Sequence, residues 1–354
     1  MQKIKAKIHL GNIRRNAEKF SSLTGTKLCA VVKANAYGHG AEEVTNALSG
    51  QADSFAVALL EEGLCIKSVA CGKEILVFTP PSTEEEVFCA CCNGFTLSVG
   101  NLKTAELICR TCEKYGLPLQ VHLKINTGMN RYGMPIDEVE KLCRYFSQKS
   151  WVMPTGIYSH LYVCEKATSK KQLALFLKAV ESCKRYFPNA KAHLSATYGA
   201  LLGKDFALDG VRIGLGLYGY LPVENATQEN GVKEIPLLEK GMEIYAPTVA
   251  EREYVFGGVG YGKPTCKLTK GERLSVCRYG YADGFLRNPR NGVDGEELQT
   301  GNLCMDVCIR KGGKLGEEIP VMTDADKTAK GIGTVSYEVL CACTKRAEFV
   351  YDNE

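Results

Sequence analysis

The run Ala30-Val31-Val32-Lys33-Ala34-Asn35-Ala36-Tyr37-Gly38-His39-Gly40 sets a lysine at the end of an apolar segment and follows it with two glycines. An ammonium at the end of a buried strand loses hydration worth several kcal/mol unless it is paired or made uncharged. A Schiff base to a carbonyl ligand is one way to make it uncharged, so Lys33 is a candidate covalent anchor. A lysine snorkelling at a strand tip is the ordinary alternative. Four other polar positions close apolar runs in the same way: Lys124, His160, Ser195, and Arg212 with Gly214.

The elements that would position these residues follow from periodicity. Short β-branched runs alternate with longer amphipathic stretches between residue 28 and about 215, which is the pattern of repeated βα units. The runs are Leu28–Lys33, Ser54–Leu59, Glu74–Thr79, Phe95–Val99, Leu119–Ile125, Thr155–His160, Ala192–Ala196 and Gly210–Gly214. Helical stretches include Asn101–Tyr115, Ile136–Phe146 and Lys170–Tyr186. Eight strands in βα alternation fit an α/β fold of the (β/α)₈ TIM-barrel type, with an open doubly wound sheet as the alternative. In such a barrel the C-terminal strand ends carry the chemistry. Lys33, Lys124, His160, Ser195 and Arg212 then share one rim, and Ser195 with the backbone at Gly214 stands where barrels hold phosphate. A Schiff-base lysine facing a phosphate cradle suggests pyridoxal 5′-phosphate (PLP).

After Tyr220 the texture turns to Pro, Asn and Gly. From about residue 237 the expected strands are Glu243–Ala250, Leu274–Arg278, Asp306–Arg310 and Ile319–Thr323, without intervening helices. Two domains are expected: 1–236, the barrel, and 237–354, mainly β.

Composition removes several classes. A net charge of +4 with no basic block gives no footprint for nucleic acid. The expected partner is a small neutral or zwitterionic molecule. Seventeen cysteines without regular spacing fit a reducing, cytoplasmic setting. Cys89, Cys91 and Cys92 cluster, but C-x-C-C has no counterpart at zinc spacing, so no metal is expected. No run is long enough to span a bilayer; any membrane contact would need a further N-terminal segment.

The lysine motif resembles the PLP-attachment motif of the alanine racemase family. The resemblance continues in order through His122-Leu123-Lys124-Ile125-Asn126-Thr127-Gly128-Met129-Asn130-Arg131, Gly156-Ile157-Tyr158-Ser159-His160, Val211-Arg212-Ile213-Gly214, Gly260-Tyr261-Gly262, Gly280-Tyr281-Ala282-Asp283-Gly284 and Cys304-Met305-Asp306. It implies a barrel with a C-terminal β domain, working as a head-to-tail homodimer with shared active sites. It further implies that Lys33 holds PLP and serves as one catalytic base, with Tyr261 as the other. Tyr37, Ser195 and the turn at Gly214 would hold phosphate, Arg212 would face the pyridine nitrogen, and His160 would orient Arg212 and Tyr261. Arg131, supported by a carbamylated Lys124, would position the cofactor phenolate and the substrate carboxylate. The backbone near Met305 would meet that carboxylate, and Tyr281 and Arg287 would line the entrance.

Racemisation requires a proton removed from one face of Cα and another delivered to the opposite face, so two bases are the minimum. An arginine facing the pyridine keeps its own proton and leaves the ring nitrogen bare, which suits reversible proton transfer better than decarboxylation. A barrel-type PLP decarboxylase and a non-catalytic PLP carrier are the competing readings. Leu194 in His193-Leu194-Ser195, Glu165, Asn302 and Lys345 depart from the usual family pattern. The variant resembles the serine/alanine racemase branch of vancomycin resistance, the cytoplasmic part of a membrane protein. Serine and alanine are therefore both expected substrates, with D-amino acid supplied to peptidoglycan precursors; strict alanine racemisation is the alternative.

Overall fold

The computed structural model describes residues 3–222, 232, 235–262, 266–285 and 300–354. Arg287 lies outside the described residues. The chain divides into two compact units, one of Ile13–Ala36 with Ala41–Glu239, the other of Met1–Asn12, Tyr37–Gly40 and Lys240–Glu354.

After β1 (Lys5–His9) and α1 (Leu10–Thr24), the chain alternates β2 (Lys27–Val31), α2 (Lys33–Gly38), α3 (Ala41–Ala47), β3 (Ser54–Val57), α4 (Leu60–Ile66), β4 (Glu74–Val77), α5 (Glu84–Asn93), β5 (Thr96–Val99), α6 (Leu102–Tyr115) and β6 (Leu119–Lys124). It continues through α7 (Val139–Ser147), β7 (Val152–Tyr158), α8 (Lys166–Lys184), β8 (Lys191–His193), α9 (Thr197–Leu201) and β9 (Gly210–Ile213). Strands β2 to β8 pair side by side and all in parallel, with β9 on the outer edge of β2. The backbone bonds Asp209 N to Ala192 O (3.0 Å) and Arg212 N to Ser195 O (2.9 Å) bring β9 against β8 and close the cylinder. This is the expected (β/α)₈ barrel. Its strands are buried along almost their whole length, as in β3 and β5, because a parallel sheet walled by helices is covered on both faces.

Local chemistry sets the helix ends. Thr83 caps α5 in a capping box with Glu86, and Asn101 accepts from the Thr104 amide at the start of α6. Both helices stop at glycines in the left-handed region, Gly94 (φ 69°) and Gly116 (φ 63°).

The smaller unit is a sheet in the order β12 (Cys308–Lys311), β11 (Arg273–Cys277), β10 (Met242–Glu253), β1, β14 (Glu348–Asp352), with β13 (Glu318–Met322) also on β10. Two features differ from the sequence reading. A cut at residue 236 leaves out β1, whose alternate burial presents Ala6 and Ile8 inward and which fills the position between β10 and β14. The four expected strands are β10 to β13, and beyond them the reading lacked α10 (Ala325–Ile332), capped by Asp324, α11 (Ser336–Ala342) and the strand they lead to, β14. No helix among the described residues is long and apolar enough to cross a membrane.

The turn after β2 is the unusual backbone of the molecule. Ala34, Asn35, Ala36 and Tyr37 have φ between 51° and 54°, so α2 is a left-handed turn. Each such non-glycine residue costs roughly 1–2 kcal/mol. Gly38 (φ 81°) continues it where a Cβ would meet the Leu340 carbonyl oxygen at 2.2 Å. The strain is held by polar ties: Ala36 N donates to Val32 O (2.8 Å), Ala41 N to Asn35 Oδ1 (2.9 Å), and Ala34 N to Glu62 Oε1 (2.6 Å). The second Glu62 oxygen accepts from the amides of Ala58 (2.7 Å) and Leu59 (3.1 Å), so one carboxylate ties the turn after β2 to the start of α4. Glu62→Ala therefore destabilises the protein by about 1–3 kcal/mol in urea titrations and speeds hydrogen exchange at the Ala34 amide. Unchanged stability and exchange would mean that the left-handed turn holds itself.

Candidate active site

The site grows from the C-terminal ends of the barrel strands. Lys124 is the last residue of β6, Arg212 lies in β9, His160 stands just past β7, and Lys33 just past β2. Arg212 is 3% exposed. Its Nη1 donates to His193 Nδ1 (2.8 Å) and His193 O (3.0 Å); its Nη2 donates to the carbonyls of Ser159 (2.7 Å) and Leu194 (3.1 Å) and faces His160 Nδ1 at 3.4 Å. Among the described residues no carboxylate stands at ion-pair distance from it. Burial lowers its pKa to about 10, which leaves the guanidinium charged at neutral pH.

The hydrogen-bond directions behind Arg212 are forced, because a guanidinium has no acceptor. His193 Nδ1 accepts from it and is bare, and burial followed by the Arg212 charge pushes the His193 pKa well down. The His193 proton therefore sits on Nε2 and points to His122 Nδ1 at 3.0 Å. That places the His122 proton on Nε2, 3.2 Å from Glu74 Oε1 but outside hydrogen-bond alignment with it, while Glu74 Oε1 accepts from Thr96 Oγ1 (2.9 Å). Burial raises the Glu74 carboxyl pKa, but its contacts with His122 and Thr96 outweigh that and hold the group at about 2. The relay from Arg212 thus ends on a carboxylate two imidazoles away. It opens on a cavity of about 200 Å³ lined by Lys27, Ser54, Glu74, Lys191 and Gly210, each the first residue of its strand, at the barrel end opposite Lys33.

Tyr158 is the platform for the other side. Its ring stacks on His193 (5.0 Å, 3°), and it has the Lys124 Nζ 4.4 Å and the Arg212 guanidinium 5.1 Å from its centre. Its hydroxyl meets Ser98 Oγ at 2.6 Å. Lys124 is buried, and burial, then Arg212 and Arg131, push its pKa well below the usual lysine value. His160 is likewise pushed well down by burial and by Arg212, Lys124, Arg131 and Lys33. Arg212, Arg131 and Lys33 therefore place positive charge around one imidazole, a field that suits an anionic ligand.

The phosphate side differs from the sequence reading. Ser195 is fully buried and its hydroxyl donates to Phe206 O (2.6 Å), so its only proton is already committed. β8 ends at His193, and Ser195 packs under Gly199 rather than closing a strand on the rim. Thr197, which sequence reasoning missed, opens α9; its Oγ1 accepts from the Gly216 amide (3.1 Å) and keeps its own proton. Gly214 leads into the short 3₁₀ turn Leu215–Tyr218 beside it. Hydroxyl, glycine turn and short-helix amides together fit a phosphate group.

Known proteins sharpen this picture. Residues 8–222 match the family described as "Alanine racemase, N-terminal domain", and 244–351 match "Alanine racemase, C-terminal domain". The chain belongs to the alanine racemase family. It is 31% identical to alanine racemase of Lactobacillus delbrueckii over 98% of this chain and 97% of that protein, and 29% identical to that of Clostridium novyi over 98% and 94%. A solved alanine racemase of Clostridium difficile superimposes with TM-score 0.89 at 26% identity, covering 100% of this chain and 97% of that one. That of Bartonella henselae, solved with covalently bound pyridoxal phosphate, gives 0.85 at 25% identity over 99% and 100%. The family is PLP-dependent, and the barrel residues fit that cofactor: a lysine at a strand end, a buried guanidinium without a carboxylate, and a hydroxyl beside a glycine turn.

Arg131 is exposed and belongs to the barrel unit, and the remaining expected site residues belong to the smaller unit. Tyr37 is buried in the left-handed turn, with its ring 6.1 Å from that of Tyr337. Tyr261 is 68% exposed between Gly260 and Gly262, both at positive φ, and its carbonyl accepts from the Asn302 amide group. Tyr281 and Met305 lie on adjoining loops, linked by Ala282 N to Met305 O (2.9 Å) and Tyr281 N to Cys304 O (3.2 Å). Lys345 is exposed, and its neighbour Arg346 pairs with Asp283 (2.6 Å) and Asp306 (3.0 Å).

The depressed Glu74 pKa gives a pH test. A carboxyl held at about 2 against an ordinary 4.5 adds stability above 4.5 that is lost as pH falls toward 2. Glu74→Gln should cost on the order of 3 kcal/mol near neutrality, with the gap to wild type closing below that window. A gap independent of pH would show that Glu74 is not the charged end of the relay.

Proposed function

We propose that the protein is a PLP-dependent racemase that interconverts the L and D forms of alanine and serine by a two-base mechanism, supplying D-amino acid to peptidoglycan precursors. The observation that carries this reading is the buried, carboxylate-free Arg212 on the same barrel rim as Lys33. In this assignment Lys33 anchors the cofactor, Arg212 faces the pyridine nitrogen, and His160 orients Arg212. Thr197, Tyr37 and the backbone at Gly214 hold the phosphate, with Thr197 taking the place first given to Ser195. Bound there, PLP withdraws electrons from the substrate and acidifies its Cα proton.

Lys33 Nζ takes or returns that proton on one face, and Tyr261 Oη does the same on the other. Arg131 and the backbone near Met305 hold the substrate carboxylate, and Tyr281 lines the entrance. Asn302 fixes the backbone of Tyr261. A guanidinium opposite the ring counts against decarboxylation, which favours a protonated pyridine. Serine as a substrate rests on the departures at Leu194, Asn302 and Lys345 and on the resemblance to the vancomycin-resistance branch, which also carries the proposal that this is a cytoplasmic catalytic domain.

Lys124 is proposed to carry a carbamate. Burial, Arg212 and Arg131 depress its pKa and so favour the neutral amine, the form that adds to carbon dioxide with loss of one proton. The resulting anion gives Arg131 an acidic partner. Equilibration with ¹³C-bicarbonate should then produce a carbamate carbon signal that Lys124→Ala abolishes; a spectrum without it would remove the modification.

The activity itself is tested by polarimetry. PLP-loaded protein should racemise both L-alanine and L-serine, and kcat/KM for each sets the preference. If both amino acids stay optically unchanged, the reading fails. Tyr261→Phe should keep PLP bound and lose solvent-proton exchange from one enantiomer only, and full retained activity would contradict the two-base assignment. In the proposed homodimer Tyr261 serves the partner's barrel. Mixing Lys33→Ala and Tyr261→Phe chains should recover part of the activity, and no recovery after demonstrated subunit exchange would argue against shared sites.

A further inference from the structure

All the cysteines are free thiols, yet several stand in contacting pairs. Cys91 on α5 faces Cys112 on α6 with their sulfurs 3.7 Å apart. Cys143 on α7 shares a thiol hydrogen bond with Cys183 on α8, and Cys277 and Cys308 are directly opposed on β11 and β12. Exposure separates them. Cys143, Cys183, Cys277 and Cys308 are at most 1% exposed, and Cys112 is fully buried, whereas Cys91 is only half-buried. Among the described residues, the pair between α5 and α6 is the one in which a reachable sulfur has a buried resolving sulfur beside it.

We propose that Cys91 and Cys112 are a peroxide-responsive disulfide site that staples α5 to α6. The thiols are electronically unequal in the sense this requires. The hydrogen bond from Cys112 lowers the Cys91 pKa against its partial burial, while the same contact and burial raise that of Cys112. Cys91 is thus the attacking thiolate. Its sulfur attacks hydrogen peroxide: an S–O bond forms, the O–O bond breaks, and hydroxide leaves and takes up a proton as water. The Cys112 sulfur then attacks the Cys91 sulfenic sulfur, forming the S–S bond and releasing the oxygen with two protons as a second water. Two thiols are oxidised by two electrons and peroxide is reduced to water. The sulfurs must close to about 2.0 Å, a shift within reach of side-chain rotation on adjacent helices. The link closes a loop containing β5 and most of α6, so it restricts the unfolded chain.

The test uses PLP-loaded protein treated with limiting hydrogen peroxide, alkylated, and digested without reduction. Trypsin places Cys91 in Glu74–Lys103 and Cys112 in Thr111–Lys114. The expected product is these peptides joined with loss of two hydrogens. Fragmentation should locate the link at Cys91 rather than Cys89 or Cys92, thiol reductant should reverse it, and the thermal midpoint should rise. Cys92→Ser should leave the link intact. Cys112→Ser should leave Cys91 as a sulfenic acid trapped by dimedone. Should Cys112→Ser fail to fold, Cys91→Ser at the half-buried position must abolish both the link and the thermal shift. Peroxide that oxidises exposed Cys92 without joining Cys91 to Cys112, or a link made through Cys89 or Cys92 instead, would overturn the proposal.

Discussion

A buried guanidinium without a carboxylate partner is the constraint on which the barrel depends. Arg212 is charged and almost wholly removed from water, and taking an ion into that environment is costly unless every donor is used. The fold meets most of that requirement at the two terminal nitrogens, which donate to three carbonyls and an imidazole and face a second imidazole at longer range. Since arginine can only donate, the orientation of both His193 and His122 follows, and the relay reaches a carboxylate at Glu74, on the far end of the barrel. A carboxylate placed directly on Arg212 would give a simpler ion pair. It would also cancel the positive field that Arg212 shares with Arg131 and Lys33 around His160.

That field and the left-handed turn after β2 belong to one design. Four successive non-glycine residues at positive φ are a strained arrangement, and strain of this kind persists only where surrounding contacts over-determine it. Here Glu62 and Asn35 supply those contacts through backbone amides. The turn begins immediately after Lys33, so it ends the strand abruptly and fixes where the lysine leaves the backbone. Backbone hydrogen bonds in the turn thereby fix the position from which the side chain extends.

Much of this was legible in the sequence because parallel strands covered on both faces read as short apolar runs, and all eight were found with ends shifted by a few residues. β1 was missed because Lys5–His9 alternates lysine with apolar residues and finds its partners, β10 and β14, at the other end of the chain. Lys33, Lys124, His160 and Arg212 could be placed on one rim from strand order alone. Ser195 could not be placed correctly: β8 stops at His193, and the turn into α9 makes Thr197 rather than Ser195 the hydroxyl beside the Gly214 turn. Glu74 opens β4, His122 lies inside β6 and His193 ends β8, and such polar residues in barrel strands are a signal in themselves. Their alignment into a relay depends on the register of β4, β6 and β8, which no local pattern encodes.

The relay is tested most directly by the imidazole ¹⁵N chemical shifts of His193 and His122, assigned with single His→Gln variants. The account predicts that His193 stays neutral through the physiological range, with its proton on Nε2 and a bare Nδ1 accepting from Arg212, and that His122 carries its proton on the nitrogen facing Glu74. A protonated His193, or a His193 proton on Nδ1, would contradict it, because Arg212 would then lose its imidazole acceptor and its charge would need a different partner.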